Sequence, residues 1–311
     1  MKITAISVYK IELPLKQSYR LSAGRLLVES LDSTFVRIET NQGLSGWGEG
    51  CPWGASYLPA HGAGIRAALE VLAPSLIGCD PCALDHVNRI MDQVLPGHLY
   101  AKAPLDIACW DILGQACKMP LWRLLGSQQA EAVAVNSSIA TDTNDAMIAA
   151  IKKAGEQGYK VHSAKIGGDD ASIDISRIET IAAALPQGHR VTFDVNRAWL
   201  PATALQVLSS VSFGGWIEQP CQNLDECALV ASRVCQPIML DESLHTMHDH
   251  MAAWRLGAAA GIKVKPNRLG GLTRARQVRD FAIQAGWPMH IEDVGGSALA
   301  DTAAIHLASS T

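Results

Sequence analysis

The sequence predicts an α/β protein, a (β/α)7β barrel of the TIM type behind an α+β capping domain, on three observations. Short β-rich segments recur every 22 to 30 residues beyond Gly126. A helix-like stretch follows each of them, and a charged or amide residue closes nearly every one. The 311 residues suffice for about two domains. With 48% hydrophobic and 18% charged residues the chain buries a substantial core, which excludes long disorder.

Residues 1–125 read as the capping domain. Residues 3–13 and 33–39 alternate apolar and polar side chains, and Asn41-Gln42-Gly43 turns the chain, so this part is an antiparallel meander. From about residue 60 the apolar spacing becomes helical, as at Ile65, Leu69 and Leu72 and again at Leu84, Val87, Met91 and Leu95, with Pro96-Gly97 as a stop.

Residues 126–311 read as the barrel. Its strands are predicted at 132–138, 161–166, 190–195, 215–218, 237–241, 261–265 and 288–292, with crossover helices such as 146–156, 173–185 and 272–285. An open doubly wound sheet would gather its polar residues at one switch point. Here Lys165, Asp194, Asn196, Glu218, Asp241, Lys265 and Asp293 are spread over successive strand ends, which only a barrel brings to one mouth. The last segment reads as a seventh helix with no eighth strand, so the native chain is expected to continue past Thr311.

Charge and apolar patterning narrow the partners. Lys and Arg number 26 against 30 Asp and Glu, with no basic block, which excludes a nucleic-acid partner. No apolar run reaches the roughly 18 residues of a membrane helix. Lys10 and Glu12 interrupt the amino terminus where a signal peptide needs an unbroken apolar core, so no membrane partner and a cytoplasmic location are expected. The eight cysteines are expected to be reduced thiols; Cys79 and Cys82 have redox or zinc spacing but no second pair or His cluster, and read as a turn.

Asp194, Glu218 and Asp241 lie 24 and 23 residues apart, each closing a consecutive strand. Three carboxylates leaning into one mouth repel unless a cation lies among them, and an oxygen-only donor set favours Mg²⁺. Lys165 and Lys265 end the second and sixth strands, which are opposed in an eight-stranded ring. They would flank one substrate atom. Lys263, one layer lower on the face of Lys265, is expected together with the metal to lower the pKa of Lys265. Such a site can remove the proton α to a carboxylate, because a metal ion stabilises the enediolate. Return of a proton to the opposite face epimerises the carbon; loss of a β-group dehydrates it. A barrel that binds a carboxylate without turning it over is the non-enzymatic alternative.

Several segments resemble the enolase superfamily, in particular its muconate-lactonizing-enzyme subgroup. They are Leu105-Asp106-Ile107-Ala108-Cys109-Trp110-Asp111 running on to Pro120-Leu121-Trp122, then Phe193-Asp194-Val195-Asn196, Trp216-Ile217-Glu218-Gln219-Pro220, Leu240-Asp241-Glu242-Ser243, and Lys265 before Gly270-Gly271. The resemblance implies Asp194, Glu218 and Asp241 as ligands of one Mg²⁺ and Lys165 and Lys265 as the acid–base pair. Where the subgroup usually has Lys-x-Lys on the second strand, this chain has Ser163-Ala164-Lys165. The segments around His162 to Gly168, Lys263 to Arg268 and His290 to Gly296 look most like those of proline betaine and 4-hydroxyproline betaine 2-epimerases, with cis-3-hydroxy-L-proline dehydratases as the alternative.

A betaine nitrogen cannot be hydrogen-bonded and needs aromatic faces or carboxylates. Tyr57 and Trp53 of the capping-domain loop are the candidate aromatic contacts, Tyr57 first, and both could instead pack the domain interface. Asp293 could hold the nitrogen or orient Lys265. Asn196 and Lys263 complete the candidate substrate contacts. His290 is expected to face the helices, and Trp199 to serve as a lid, as packing or as a substrate contact. The partner implied is a small carboxylate, and barrels of this kind commonly form homo-oligomers.

Overall fold

The computed structural model describes residues 1–20, 27–55 and 57–311. An antiparallel sheet of β1 (Ile3–Arg20), β2 (Leu27–Thr40) and β3 (Ser45–Gly50), in that order, opens the chain. The helices α1 (Gly62–Leu76), α2 (Leu84–Val94), α3 (Leu99–Cys117) and the single turn α4 (Leu121–Leu124) follow. The remainder alternates: β4 (Asn136–Ile139), α5 (Asn144–Glu156), β5 (Val161–Lys165), α6 (Ala171–Ala184), β6 (Arg190–Asp194), α7 (Pro201–Ser210), β7 (Trp216–Glu218), α8 (Leu224–Ala231), β8 (Ile238–Leu240), α9 (Met247–Leu256), β9 (Gly261–Val264), α10 (Pro266–Leu269), α11 (Leu272–Gln284), β10 (Met289–Ile291) and α12 (Ala298–Ser309). Strands β4 to β10 pair in chain order, all parallel, in one curled TIM-type sheet. Phe193, Ile217, Leu240, Ile262 and Val264, all fully buried, join with the inner faces of the helices in one core.

Two strands differ from the sequence expectation for physical reasons. The expected strand over residues 3–13 is longer: β1 is an edge strand, where the missing N–H of Pro14 costs nothing, and it runs on to Arg20. The first barrel strand begins at Asn136 rather than residue 132, because its one partner in the sheet, β5, begins at Val161, directly opposite Asn136. The predicted polar strand ends Asp241 and Lys265 lie one residue beyond their strands.

α3 fills the space between the antiparallel sheet and the barrel and is buried on every side, which is why its apolar residues show no stripe. The sheet approaches it closely through glycine: a Cβ at Gly48 would stand 1.9 Å from the Pro104 carbonyl oxygen. Two capping-domain carboxylates then cap barrel helices. Asp106 of α3 accepts from Thr273 N–H (3.0 Å) and the Thr273 hydroxyl (2.5 Å) in the first turn of α11, and from Asn88 (2.7 Å). Glu49 of β3 accepts from Ser297 N–H (2.9 Å), the Ser297 hydroxyl (2.7 Å) and Ala300 N–H (3.2 Å) at the start of α12, and from Ser33 (2.6 Å). Glu49 is fully buried, so Glu49→Ala leaves several donors without an acceptor. A loss of about 2–4 kcal/mol in equilibrium unfolding is expected, with Glu49→Gln less affected; a change below about 0.5 kcal/mol would refute this role of the carboxylate.

Candidate active site

The register of the parallel sheet builds the site. Lys165 lies opposite Asp194 between β5 and β6, and Asp194 opposite Glu218 between β6 and β7, so three ionisable side chains stand in one layer at about 4.8 Å strand spacing. Asp241 follows β8 and Lys265 follows β9 as the residue preceding α10. All five are buried or nearly so, with side-chain exposures from 1% to 12%.

Each carboxylate has a cation beside it. Lys165 Nζ donates to Asp194. Lys265 Nζ donates to Asp241 Oδ2 at 2.9 Å, and Arg268 Nη1 to Asp241 Oδ1 at 2.6 Å. Lys263 Nζ lies 3.2 Å from Glu218 Oε2, but without hydrogen-bond geometry, and that oxygen has no donor. Burial pushes the Glu218 carboxyl well above its ordinary range, and repulsion from Asp194 and Asp241 adds to this against the pull of Lys263. Asp241 is displaced the other way: burial raises it, yet Arg268 and Lys265 outweigh burial and hold it far below. Burial draws Lys265 down, but Asp241 and Glu292 prevail and hold it above its ordinary value. With no cation at the mouth, the expected lowering of Lys265 by Lys263 is outweighed, because carboxylates surround both amines. Among the described residues no three carboxylate, imidazole or thiol groups converge closely enough to enclose a cation as they stand. Asp194 and Asp241 are instead turned to the two lysines.

The backbone beyond these strands is strained where it positions the site. Asn196, Arg197 and Gln219 all have positive φ (45°, 66° and 38°). Gln219 Oε1 accepts from Asp241 N–H at 2.9 Å and Ser243 N–H at 3.2 Å, which fixes the end of β8. Asn196 donates its N–H to Asp194 Oδ1 (3.0 Å) and its side-chain amide to Glu242 (2.9 Å).

The capping domain closes the mouth. Tyr57 directs its hydroxyl to Asp241 Oδ2 at 3.4 Å, and the Arg197 guanidinium lies 5.7 Å from the centre of its ring. One ring face of the first-choice cation contact is thus held by a cation of the protein itself. Trp53 stacks edge-on with Tyr19 (5.7 Å), and the Tyr19 hydroxyl bonds Ser138 at the end of β4. Ser56 of this loop lies outside the described residues. Asp293 accepts from Asn267 at 2.7 Å, and burial pushes its carboxyl up to about 7.

One expectation is corrected. His290 does not face the helices: its ring contacts Lys263 Nζ at 3.1 Å and Glu292 at 3.3 Å inside the barrel. The strand phase is therefore the reverse of the one expected, and Glu292 rather than Asp293 bonds Lys265, at 3.1 Å. Of the alternatives for Trp199 the structure shows packing: it is 3% exposed and donates to Asp174 at 2.8 Å. Sequence reasoning missed Glu292, Arg268, Tyr19 and Arg197. The even spacing of Glu292 from His290, and the register of that strand against Lys263, could have found the first.

A curled parallel sheet with this mouth, behind an antiparallel capping sheet, defines an enzyme of the enolase superfamily. The mandelate racemase / muconate lactonizing enzyme N-terminal domain matches residues 8–126 and the enolase C-terminal domain-like family residues 146–311, so the chain belongs to this family. It is 41% identical to cis-3-hydroxy-L-proline dehydratase of Roseibium aggregatum, over 100% of this chain and 85% of that protein. It is 29% identical to N-succinyl-L-Arg/Lys racemase of Bacillus cereus, over 99% of this chain and 84% of that protein. A crystal structure of an enolase superfamily member from Roseovarius nubinhibens ISM complexed with magnesium superimposes with a TM-score of 0.96 at 62% identity, covering 100% of this chain and 84% of that one. Among the described residues no helix is long and apolar enough to cross a membrane.

The raised carboxyl of Glu218 has a consequence for stability. A group whose folded pKa lies above its unfolded value keeps its proton longer when folded, so stability falls as pH rises from the unfolded toward the folded pKa. Glu218, and Asp293 at about 7, both act in this direction. In chelator the protein should lose stability from about pH 5 to about pH 7, and Glu218→Gln should unfold at higher denaturant than wild type at about pH 7. A Gln variant less stable than wild type under those conditions contradicts the reading.

Proposed function

We propose that this enzyme removes the proton α to the carboxylate of a cyclic amino acid with a cationic nitrogen, and that the outcome is 2-epimerisation of a proline betaine or 4-hydroxyproline betaine. The observation that carries this is the pairing of Lys165 with Asp194 and of Lys265 with Asp241 across a mouth whose middle carboxylate, Glu218, acts on both amines. In this reading residues 1–125 cap the site and 126–311 carry the catalysis.

Asp194, Glu218 and Asp241 are the residues that would hold Mg²⁺. They fit it: the donors are all oxygen, and one buried oxygen of Glu218 and one of Glu242, next to Asp241 in the chain, have no donor. Bound there, the ion would supply positive charge beside the substrate carboxylate and offset the negative charge that develops there as the α proton leaves. Lys165 and Lys265 act at the α carbon. One, as the neutral amine, takes its proton, and the other, as the ammonium, returns a proton to the opposite face, so the substrate inverts with no change in composition. Trp53, Tyr57, Asn196 and Asp293 line the substrate, with Asp293 and Trp53 toward the cationic nitrogen. Lys263 supports Lys265 from one layer below rather than touching substrate, since Glu218, Glu292 and His290 surround it.

A second reading, dehydration of a cis-3-hydroxy-L-proline, is favoured by the 41% identity to an enzyme so named over the whole of this chain. It shares the first proton abstraction and differs in losing the β-hydroxyl as water. Proton NMR in D₂O with Mg²⁺ and a panel of proline betaines and hydroxyprolines separates the two. Epimerisation predicts loss of the C2 proton signal and appearance of the other epimer, and Lys165→Ala or Lys265→Ala should each lower kcat/KM for epimerisation by at least about 10³-fold. An unsaturated product selects the dehydratase; exchange with no member of the panel rejects both substrates.

The cation assignment has its own test. Mg²⁺ should raise the unfolding free energy of wild type by about 2.7 kcal/mol at 100 times its Kd. The same addition should leave Glu218→Gln unchanged; equal stabilisation of both proteins would place the ion elsewhere.

A further inference from the structure

Two lysines stand two residues apart at the end of β9, and both are buried, Lys263 at 2% and Lys265 at 5% exposure. Ammonium groups so placed repel one another unless an anion lies between them. Glu292 is that anion. It follows β10, with its N–H on the Val264 carbonyl at 3.1 Å. Its Oε1 lies 3.1 Å from Lys265 Nζ and its Oε2 3.3 Å from Lys263 Nζ, so each oxygen serves one lysine.

His290 completes the clamp from two residues upstream. Its Nδ1 lies 3.1 Å from Lys263 Nζ and its Nε2 3.3 Å from Glu292 Oε2. Burial and Lys263 hold this imidazole down to about 4, so it is neutral near pH 7. The tautomer that satisfies both contacts has Nδ1 accepting from Lys263 and Nε2–H donating to Glu292. Among the described residues Lys165 has no counterpart of this arrangement. Ser163 stands on β5 where Lys263 stands on β9, and the carboxylate paired with Lys165 is Asp194, itself a proposed cation ligand. Of the two carboxylates on Lys265, Asp241 is also a proposed ligand and Glu292 is not.

We propose that Glu292 is a positioning residue: with Lys263 and His290 it fixes Lys265 Nζ at the mouth, so that proton transfer on the Lys265 face depends on a group the Lys165 face does not use. This rests on the acid–base reading above. It makes the two halves of the reaction unequal by construction.

The test compares initial deuterium incorporation at C2 from each enantiomer in D₂O for the Mg²⁺-loaded wild type and Glu292→Gln, with Lys165→Ala and Lys265→Ala identifying which face each enantiomer presents. On the Lys265 face kcat should fall about 10²-fold with KM within about 2-fold, while the Lys165 face stays within about 3-fold of wild type. Equal losses on both faces overturn the proposal, because a merely structural carboxylate would slow both. The double variant Glu292→Gln/Lys263→Met removes one negative and one positive charge together, and the bound Mg²⁺ stands in for Lys263 beside Glu218; it should show the same face-selective loss. Recovery to the wild-type rate would mean that Glu292 only neutralises Lys263, and would overturn the positioning role. If wild type exchanges no substrate, the acid–base reading fails separately, and crystal structures of wild type and Glu292→Gln still decide. Lys265 Nζ should leave its place by more than about 1 Å with Asp241 unmoved; an unmoved Nζ overturns the proposal.

Discussion

Burying carboxylates at the ends of three adjacent strands costs several kcal/mol per ion unless positive charge lies beside each. The rest of the mouth is arranged by that constraint. Asp194 has Lys165, Asp241 has Lys265 and Arg268, and Glu218 has Lys263 within ion-pair reach. Glu218 is the group for which the compensation falls short, since its neighbours on both sides are carboxylates and one oxygen has no donor. The same shortfall that destabilises the ionised carboxyl makes the place suited to a hard divalent ion. The two lysines are thus held at the mouth by the groups that would surrender their charge to that ion.

Such a balance tolerates little movement, and the capping domain supplies the rigidity. Glu49 and Asp106 reach across the interface to the first turns of α12 and α11, where backbone N–H groups would otherwise lack acceptors. α11 follows the Lys265 turn and α12 follows Glu292 and Asp293. The interface contacts that join the domains therefore also set the ends of the strands that carry the site. Tyr57 and Tyr19 extend the same coupling to the mouth itself, one against Asp241 and the other against Ser138.

The barrel and the five central side chains were legible in the sequence because a strand–helix period puts every strand end at one mouth, so regular spacing of Asp194, Glu218 and Asp241 translates directly into proximity. The substrate wall was less legible. β10 is three residues long, too short to display alternation, and its phase was set by the apolar Ile291 instead of by the lysines of the neighbouring strand. Glu292 was lost for that reason. Tyr19 was hidden because the alternation read over residues 3–13 ends before it, although the edge strand β1 runs on to Arg20. Arg197 follows its motif residues on a loop and Arg268 sits in the single turn α10, where no sequence period shows which way they face; Arg197 has a positive φ and lies over the Tyr57 ring.

Anomalous diffraction from crystals soaked in Mn²⁺, a scattering substitute for Mg²⁺, bears most directly on the account. One peak bonded by Asp194, Glu218 and Asp241 is predicted, with Lys165 and Lys265 released from Asp194 and Asp241 and both amines facing the space between. A mouth without a peak, or an ion bound elsewhere while the lysines keep their carboxylates, would contradict it.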